Sequence, residues 1–260
     1  MKMITKIDLL KHFEELGLRK GDNVIVHTSM SKMGYICGGA QTVIEALLET
    51  VGGNGTVLMP TQSWKNLDPN SGVHYEVERV DWDILRENLP AYDKYITPTN
   101  TMGLVAEMFR TWPGTFRSDH PARSFSANGM NAEYLVENHD LSDIFGKTSP
   151  LGKLYELNGK IILLGVDYDK NTSIHLADEL ANYPSKKTEI NSSVMNVNGE
   201  RQWVDYETLF VDGDDFIQIG NAFEKEHSVN QTKIGNAIVK CMNQRELIDF
   251  AVSWIEENRK

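Results

Sequence analysis

The chain has 260 residues, 40% of them apolar, and a formal net charge of −11. That length fills one large core, or a core with an appended lobe. The acidic balance argues against wrapping nucleic acid, whose phosphates need a basic surface; it suits a cationic small molecule, or solubility alone. No apolar run approaches the roughly 20 residues that span a bilayer, and the first residues lack the long apolar segment of a secretory signal. Two cysteines, Cys37 and Cys241, are too few for a disulfide framework, so the expectation is a cytoplasmic protein without a membrane partner.

The first helix is marked by Thr5 and Asp8, a variant of the capping box. Leu9, Leu10, Phe13 and Leu16 form its apolar face, and Gly17 ends it. Gly21-Asp22-Asn23 turns the chain into a short buried strand, Val24-Ile25-Val26, which runs into His27-Thr28-Ser29-Met30-Ser31. A glycine-containing loop, Gly34 to Gly39, leads to a helix from about Gln41 to Val51, and Thr56-Val57-Leu58-Met59 is the next strand. Residues 22–60 therefore predict a βαβ-like unit with its loop at the carboxyl end of the first strand.

Residues 61–80 are polar and irregular, as functional or mobile loops are. Asp81 is placed to cap a short helix carrying Ile84, Leu85 and Leu89, and a further helix carries Leu104, Val105, Met108 and Phe109. Arg117-Ser118-Asp119-His120-Pro121 reads as a turn, residues 131–138 as helix, and Ser149-Pro150 as a cap followed by proline at the first helical position. An apolar strand, Ile161 to Val166, follows. Later, Asn198-Gly199 is a hairpin signal, with Trp203-Val204 and Leu209-Phe210-Val211 as further strands, and a final amphipathic helix starts at Asn243. The whole reads as α/β: a mixed central sheet flanked by helices, with an antiparallel β insertion at about 192–220, in one domain over 1–260.

The block Asn171-Thr172-Ser173-Ile174-His175-Leu176-Ala177-Asp178 carries the clearest chemistry. It follows the apolar strand and opens a helix that Thr172 or Ser173 can cap. Asp178 and Glu179 then lie three and four residues beyond His175, on its face of the helix. An imidazole just past a strand end with a carboxylate in reach is how a protein builds a general base. The helix start favours neutral imidazole and the carboxylate favours imidazolium, and spacing does not rank the two. A capped surface helix whose histidine has no role meets the same spacing.

The loop after Val24-Ile25-Val26 offers backbone N–H groups, hydroxyls and Lys32 beside a helix start, which suits phosphate. It is neither a Walker A nor a Gly-x-Gly-x-x-Gly sequence. Ser29-x-x-Lys32 matches the serine–lysine pattern of acyl enzymes, without that pattern's companion motifs. His27, at a strand end, and His120, before proline, are better placed for a cleft than His12 or His227. No histidine pair has metal-ligand spacing, so no metal is expected.

Several blocks together resemble the aminoglycoside 3-N-acetyltransferase family, antibiotic acetyltransferases that are not of the GNAT fold. The matching blocks are His27–Ser31 with Gly34 and Gly38-Gly39-Ala40, Gly55–Thr61, and Asn100-Thr101-Met102-Gly103 with Glu107 and Arg110. Arg117–Pro121 with Ser124-Phe125, Ser149–Leu154 and Asn171–Asp178 follow in the family's order, and Val204–Gly220 matches more loosely. The resemblance implies an acetyl-CoA-dependent N-acetyltransferase acting on an aminoglycoside or related cationic amine. It implies coenzyme A contacts from His27, Thr28, Ser29, Met30, Ser31, Lys32, Gly34, Gly38, Ser118, His120 and Ser124. His175 matches the catalytic histidine; the family usually has Glu where Asp178 stands, so Asp178 and Glu179 both remain as its orienting carboxylate. Acceptor contacts are expected from Glu107, Asp81 and Trp64. A serine acyl hydrolase using Ser29 and a non-catalytic coenzyme A-binding protein are the alternatives, and a homodimer is left open.

Overall fold

The computed structural model describes residues 3–260; Met1 and Lys2, which begin both the span 1–260 and the stretch read above for a leader, lie outside the described residues. Helix α1 (Lys6–Glu15) starts as its sequence predicts, with the Thr5 hydroxyl accepting from the Asp8 N–H and the Asp8 carboxylate accepting from the Thr5 N–H. Strand β1 (Asn23–Thr28), helix α2 (Gly39–Val51) and strand β2 (Thr56–Pro60) form the expected βαβ unit, with β1 and β2 parallel.

Downstream come α3 (Trp82–Asn88), α4 (Gly103–Arg110), β3 (Phe116–Arg117), β4 (Phe125–Gly129), α5 (Ala132–Val136), α6 (Pro150–Glu156), β5 (Lys160–Leu164) and α7 (His175–Leu180). The last third holds β6 (Thr188–Val197), β7 (Glu200–Leu209), α8 (Phe216–Glu226), β8 (Asn230–Ile234), β9 (Ala237–Asn243) and α9 (Gln244–Asn258). Seven strands make one mixed sheet in the order β3-β4-β2-β1-β5-β9-β8, while β6 and β7 form a separate two-stranded antiparallel sheet.

The sheet divides the core because side chains alternate along each strand. Val24, Val26, Val57, Met59, Ile162 and Leu164 face α1, α2 and α4 on one side. Ile25, Leu58, Ile161 and Leu163 face α5 to α9 on the other. The central strands are buried on both faces, which is why they read as continuous apolar runs in sequence. Among the described residues no helix is long and apolar enough to cross a membrane.

Several expectations are corrected. The turn-like segment around 117–121 is flanked by two antiparallel strands, β3 and β4, and β8–β9 form an edge hairpin that the sequence reading passed over. The β insertion runs over 188–209 rather than 192–220, because β7 is continuous through Trp203 to Leu209 and the residues from Phe216 are helical. Its turn is the one the sequence calls for: Asn198 and Gly199 both have positive φ, +53° and +88°, the left-handed pair that a two-residue hairpin needs. Asp81 makes no capping bond to α3, whose residues bury no side chain. That helix instead docks on the hairpin, with the Arg86 carbonyl accepting from Trp203 Nε1 at 2.9 Å.

Candidate active site

β1 lies between β2 and β5, parallel to both. The chain therefore departs to opposite sides from the carboxyl ends of neighbouring strands, the switch point where open α/β sheets hold ligands. A cleft of about 680 Å³ opens there, lined by the residues after β1, the start of α4, the segment after β5, and His175. Gly165 lets these segments close up: its φ is +75°, and a Cβ there would stand 2.6 Å from the Ser29 carbonyl oxygen.

His175 enters through a turn that Asn171 caps, not Thr172 or Ser173; the Asn171 side-chain oxygen accepts from the Ser173 N–H at 3.3 Å. The imidazole Nδ1 lies 2.7 Å from Asp178 Oδ2. A carboxylate can only accept, so Nδ1 is the donor in this bond and Nε2 is the nitrogen not engaged with Asp178. The ring is stacked on Phe145 at 4.9 Å and packed against Phe216 at 4.7 Å. Asp178 has 0% exposure, and its second oxygen accepts from Arg259 Nη1 at 2.7 Å. Arg259 in turn donates through Nε and Nη2 to the two oxygens of Asp215, each at 2.7 Å.

Glu179 is not in this chain of bonds. Its Oε1 is buried without a hydrogen-bond partner, and burial, with the nearby Asp143 charge, pushes its carboxyl up to about 7. Asp178 is the partner because a three-residue step on this short helix brings it onto Nδ1, whereas Glu179 makes no bond to the ring.

The other wall is the end of β1. His27, Thr28, Ser29, Met30, Ser31 and Lys32 all line the cleft. Burial lowers the His27 imidazole to about 3, so it is neutral, and its Nε2 is buried without a partner. Asn171, also on the lining, has a buried Nδ2 without a partner. Met30–Lys32 form a single 3₁₀ turn, whose first N–H groups, those of Met30 and Ser31, find no acceptor inside the turn. Orphan donors of this kind on a cleft wall are what a ligand satisfies. The Ser29 hydroxyl pairs with the Ser31 hydroxyl at 3.2 Å rather than with His175.

Other sequence-selected residues fall elsewhere. Gly34 and Gly38 take positive φ in the loop before α2 and are absent from the cleft lining. Ser118, His120 and Ser124 are fully buried behind it. Ser118 Oγ is 3.0 Å from His139 Nδ1, His120 Nδ1 accepts from the Ala122 and Arg123 N–H groups, and Ser124 Oγ donates to the Thr61 carbonyl at 2.9 Å. The two hydroxyls and His120 Nδ1 are consumed in tying the loop together, His120 Nε2 is buried without a partner, and none of the three residues is on the cleft lining. Glu107 accepts from Arg110 Nε and the Thr99 N–H, a structural clasp outside the lining. Asp81 is exposed and absent from the cleft lining, while Trp64 does line the cleft.

Four residues that sequence reading missed complete the site. Phe145 and Phe216 sandwich the imidazole, and Arg259 holds Asp178 from 81 positions away. Arg123 lines the cleft with its guanidinium 5.5 Å from the Trp64 ring and 5.9 Å from the Phe145 ring. No local spacing signals any of them, since each acts across a long sequence separation.

An imidazole backed by a buried carboxylate, across a cleft from N–H donors unpaired within their own turn, is an arrangement that can move a proton and stabilise an oxyanion. Residues 25–256 match the family model described as aminoglycoside 3-N-acetyltransferase, and the chain belongs to that family, as an acyltransferase. It is 38% identical to the SPbeta prophage-derived aminoglycoside N(3')-acetyltransferase-like protein YokD of Bacillus subtilis, over 98% of this chain and 93% of that protein. The crystal structure of YokD superposes with a TM-score of 0.95, covering 99% of this chain and 95% of that one. AAC-IIIb in binary complex with CoASH is 30% identical with a TM-score of 0.88, covering 99% and 98% of the two chains. AAC-VIa bound to sisomicin is 26% identical with a TM-score of 0.90, covering 100% of both chains.

Proposed function

We propose that this protein transfers the acetyl group of acetyl-CoA to an amine of an aminoglycoside, the 3-amino group of the 2-deoxystreptamine ring, or of a related cationic amine. Transfer is direct, within a ternary complex. The observation that carries the reading is the 2.7 Å bond from His175 Nδ1 to Asp178 beside the cleft. With Nδ1 committed, Nε2 is free to take the amine proton as the nitrogen attacks the thioester carbon. The Met30 and Ser31 N–H groups donate to the carbonyl oxygen as it becomes an oxyanion. The C–S bond then breaks, and the imidazolium returns the proton to the departing thiolate.

The end of β1 is the coenzyme side in this reading: His27 to Ser31 line the cleft, and Lys32 supplies a cation for phosphate. AAC-IIIb, whose complex holds CoASH, supports coenzyme A as the co-substrate. The acceptor's ammonium groups are drawn to Asp169 on the lining and to Asp212 and Asp214, exposed on either side of Gly213. Arg123 repels them from its own wall. Glu107 and Asp81 have no part in it, since neither lines the cleft.

Thiol release from acetyl-CoA, measured across aminoglycosides and simpler amines, tests the reading: release with at least one cationic amine is expected, and none with any overturns it. Ser29→Ala separates direct transfer from an acyl-serine route. Turnover within a few-fold of wild type is expected, and its abolition, with an acyl-serine seen by mass spectrometry, would favour the hydrolase.

A further inference from the structure

We infer that Arg259, the next-to-last residue of the sequence, is the positioning residue of the His175 base: it holds Asp178 ionised and aimed, and thereby sets the pH range of the chemistry. The inference rests on His175 being the base. Its evidence is the unbroken path Asp215–Arg259–Asp178–His175, in which every contact is 2.7 Å.

The path draws on three places in the chain. Asp215 sits just before α8, Arg259 just after α9, and Asp178 and His175 on α7. Arg259 keeps its place through a fork onto both oxygens of Asp215, a geometry that guanidinium matches and ammonium does not. Its guanidinium also lies 5.4 Å from the Tyr183 ring. Phe216, which packs on the imidazole, is the residue next to Asp215. One side chain thus fixes both the carboxylate behind the ring and the segment carrying a wall of its pocket.

The charges make this more than scaffolding. Asp178 is fully buried, and a buried carboxylate facing only a neutral imidazole would draw a proton into the pair. Arg259 supplies the missing counter-charge, so that imidazole stays neutral and able to accept. The other ionisable groups around the pair are Glu179, Tyr183 and Asp215. Burial works against the Arg259 charge, but Asp215 and Asp178 outweigh it and hold the guanidinium protonated.

The test is the pH profile of kcat/KM in Arg259→Gln, Arg259→Lys and His175→Gln, with acetyl-CoA as donor and an amine found active by thiol release. Arg259→Gln is expected to lower kcat by about 10–100-fold, as loss of an outer-shell partner does, with the KM for acetyl-CoA unchanged. Its acid limb should move up by on the order of one pH unit, because removing a cation that close favours imidazolium. Arg259→Lys keeps the charge and loses the fork, so its limb should stay at the wild-type pH while kcat falls several-fold. A folded Arg259→Gln with wild-type kcat and limb overturns the inference; should that variant not fold, Arg259→Lys with wild-type kcat overturns it instead. Full activity in His175→Gln would remove the base itself, whereas an inactive His175→Gln beside a wild-type-like Arg259→Gln would remove only the role of Arg259.

Discussion

Two histidine-bearing neighbourhoods lie close together in this molecule and have opposite fates. In one, the His120 and His139 rings pack tilted at 4.8 Å among Ser118, Tyr206 and Phe125, and burial drives both imidazoles down, that of His139 to about 4. Both nitrogens of His139 are spent, on the Ser118 hydroxyl and on the Ile144 carbonyl at 3.0 Å. In the other, His175 spends one nitrogen on a buried carboxylate and keeps the second at the cleft. Residue type, burial and aromatic neighbours are similar. The difference lies in whether a counter-charge is present and whether a spare nitrogen belongs to the cleft lining, since His120 Nε2 is also unpaired but lies outside it, and on the proposed reading it separates a base from a strut.

Substitutions in the two places should break in different observables. His175→Ala should lower kcat by about 10²–10⁴-fold while leaving coenzyme A binding and the melting temperature near wild type. His139→Ala should do the reverse. Leaving the Ser118 hydroxyl and the Ile144 carbonyl unsatisfied in a buried site costs about 1–3 kcal/mol, read as a lower melting temperature, with kcat/KM of the folded protein within a few-fold of wild type. If His139→Ala instead abolishes turnover at full stability, the contrast between the two sites is wrong.

A smaller effect sharpens the boundary of the base. Glu179 neighbours Asp178, yet its carboxyl is raised to about 7, chiefly by burial. A raised carboxyl binds more protons in the folded chain than in the unfolded one. Its favourable contribution is therefore complete below the unfolded carboxyl range and is lost as pH rises through about 7. Glu179→Gln should accordingly stabilise the protein at pH 8 by about 1 kcal/mol, allowing for the solvent that still reaches the group. The gain should vanish near pH 4, and kcat should be unchanged. The buried histidines pull the other way: His27, His120 and His139 are lowered by burial, so their contribution is present above the ordinary imidazole range and is lost on acidification.

What the sequence revealed follows the range of the forces involved. The capping box at Thr5, the βαβ unit after Asn23, the Ser149-Pro150 helix start and the Asn198-Gly199 turn are local, and each formed where its residues asked for it. The 116–129 strands were missed because β3 has two residues and β4 five, with only Phe125 and Ala127 apolar, a run too short to stand out; pairing with β2 makes β4 a strand. The β8–β9 hairpin was missed because edge strand β8 is largely exposed and polar. In the site, the His175–Asp178 spacing was legible because one helical turn fixes it. Ser118, His120 and Ser124 were expected at the cleft from the family resemblance alone, and sequence does not tell which way a side chain in such a segment faces. Arg259 carried no local signal at all, being brought to Asp178 only by the packing of α9 against α7.

The central claim is that the imidazole at 175 accepts the acceptor's proton in its neutral form. The most direct measurement follows the nitrogen chemical shifts of that ring with pH by NMR and sets its titration beside the acid limb of kcat/KM for acetyl transfer. The account predicts that the two midpoints coincide in the wild-type protein and move up together in Arg259→Gln. An acid limb that stays in place while the ring titrates elsewhere would contradict it.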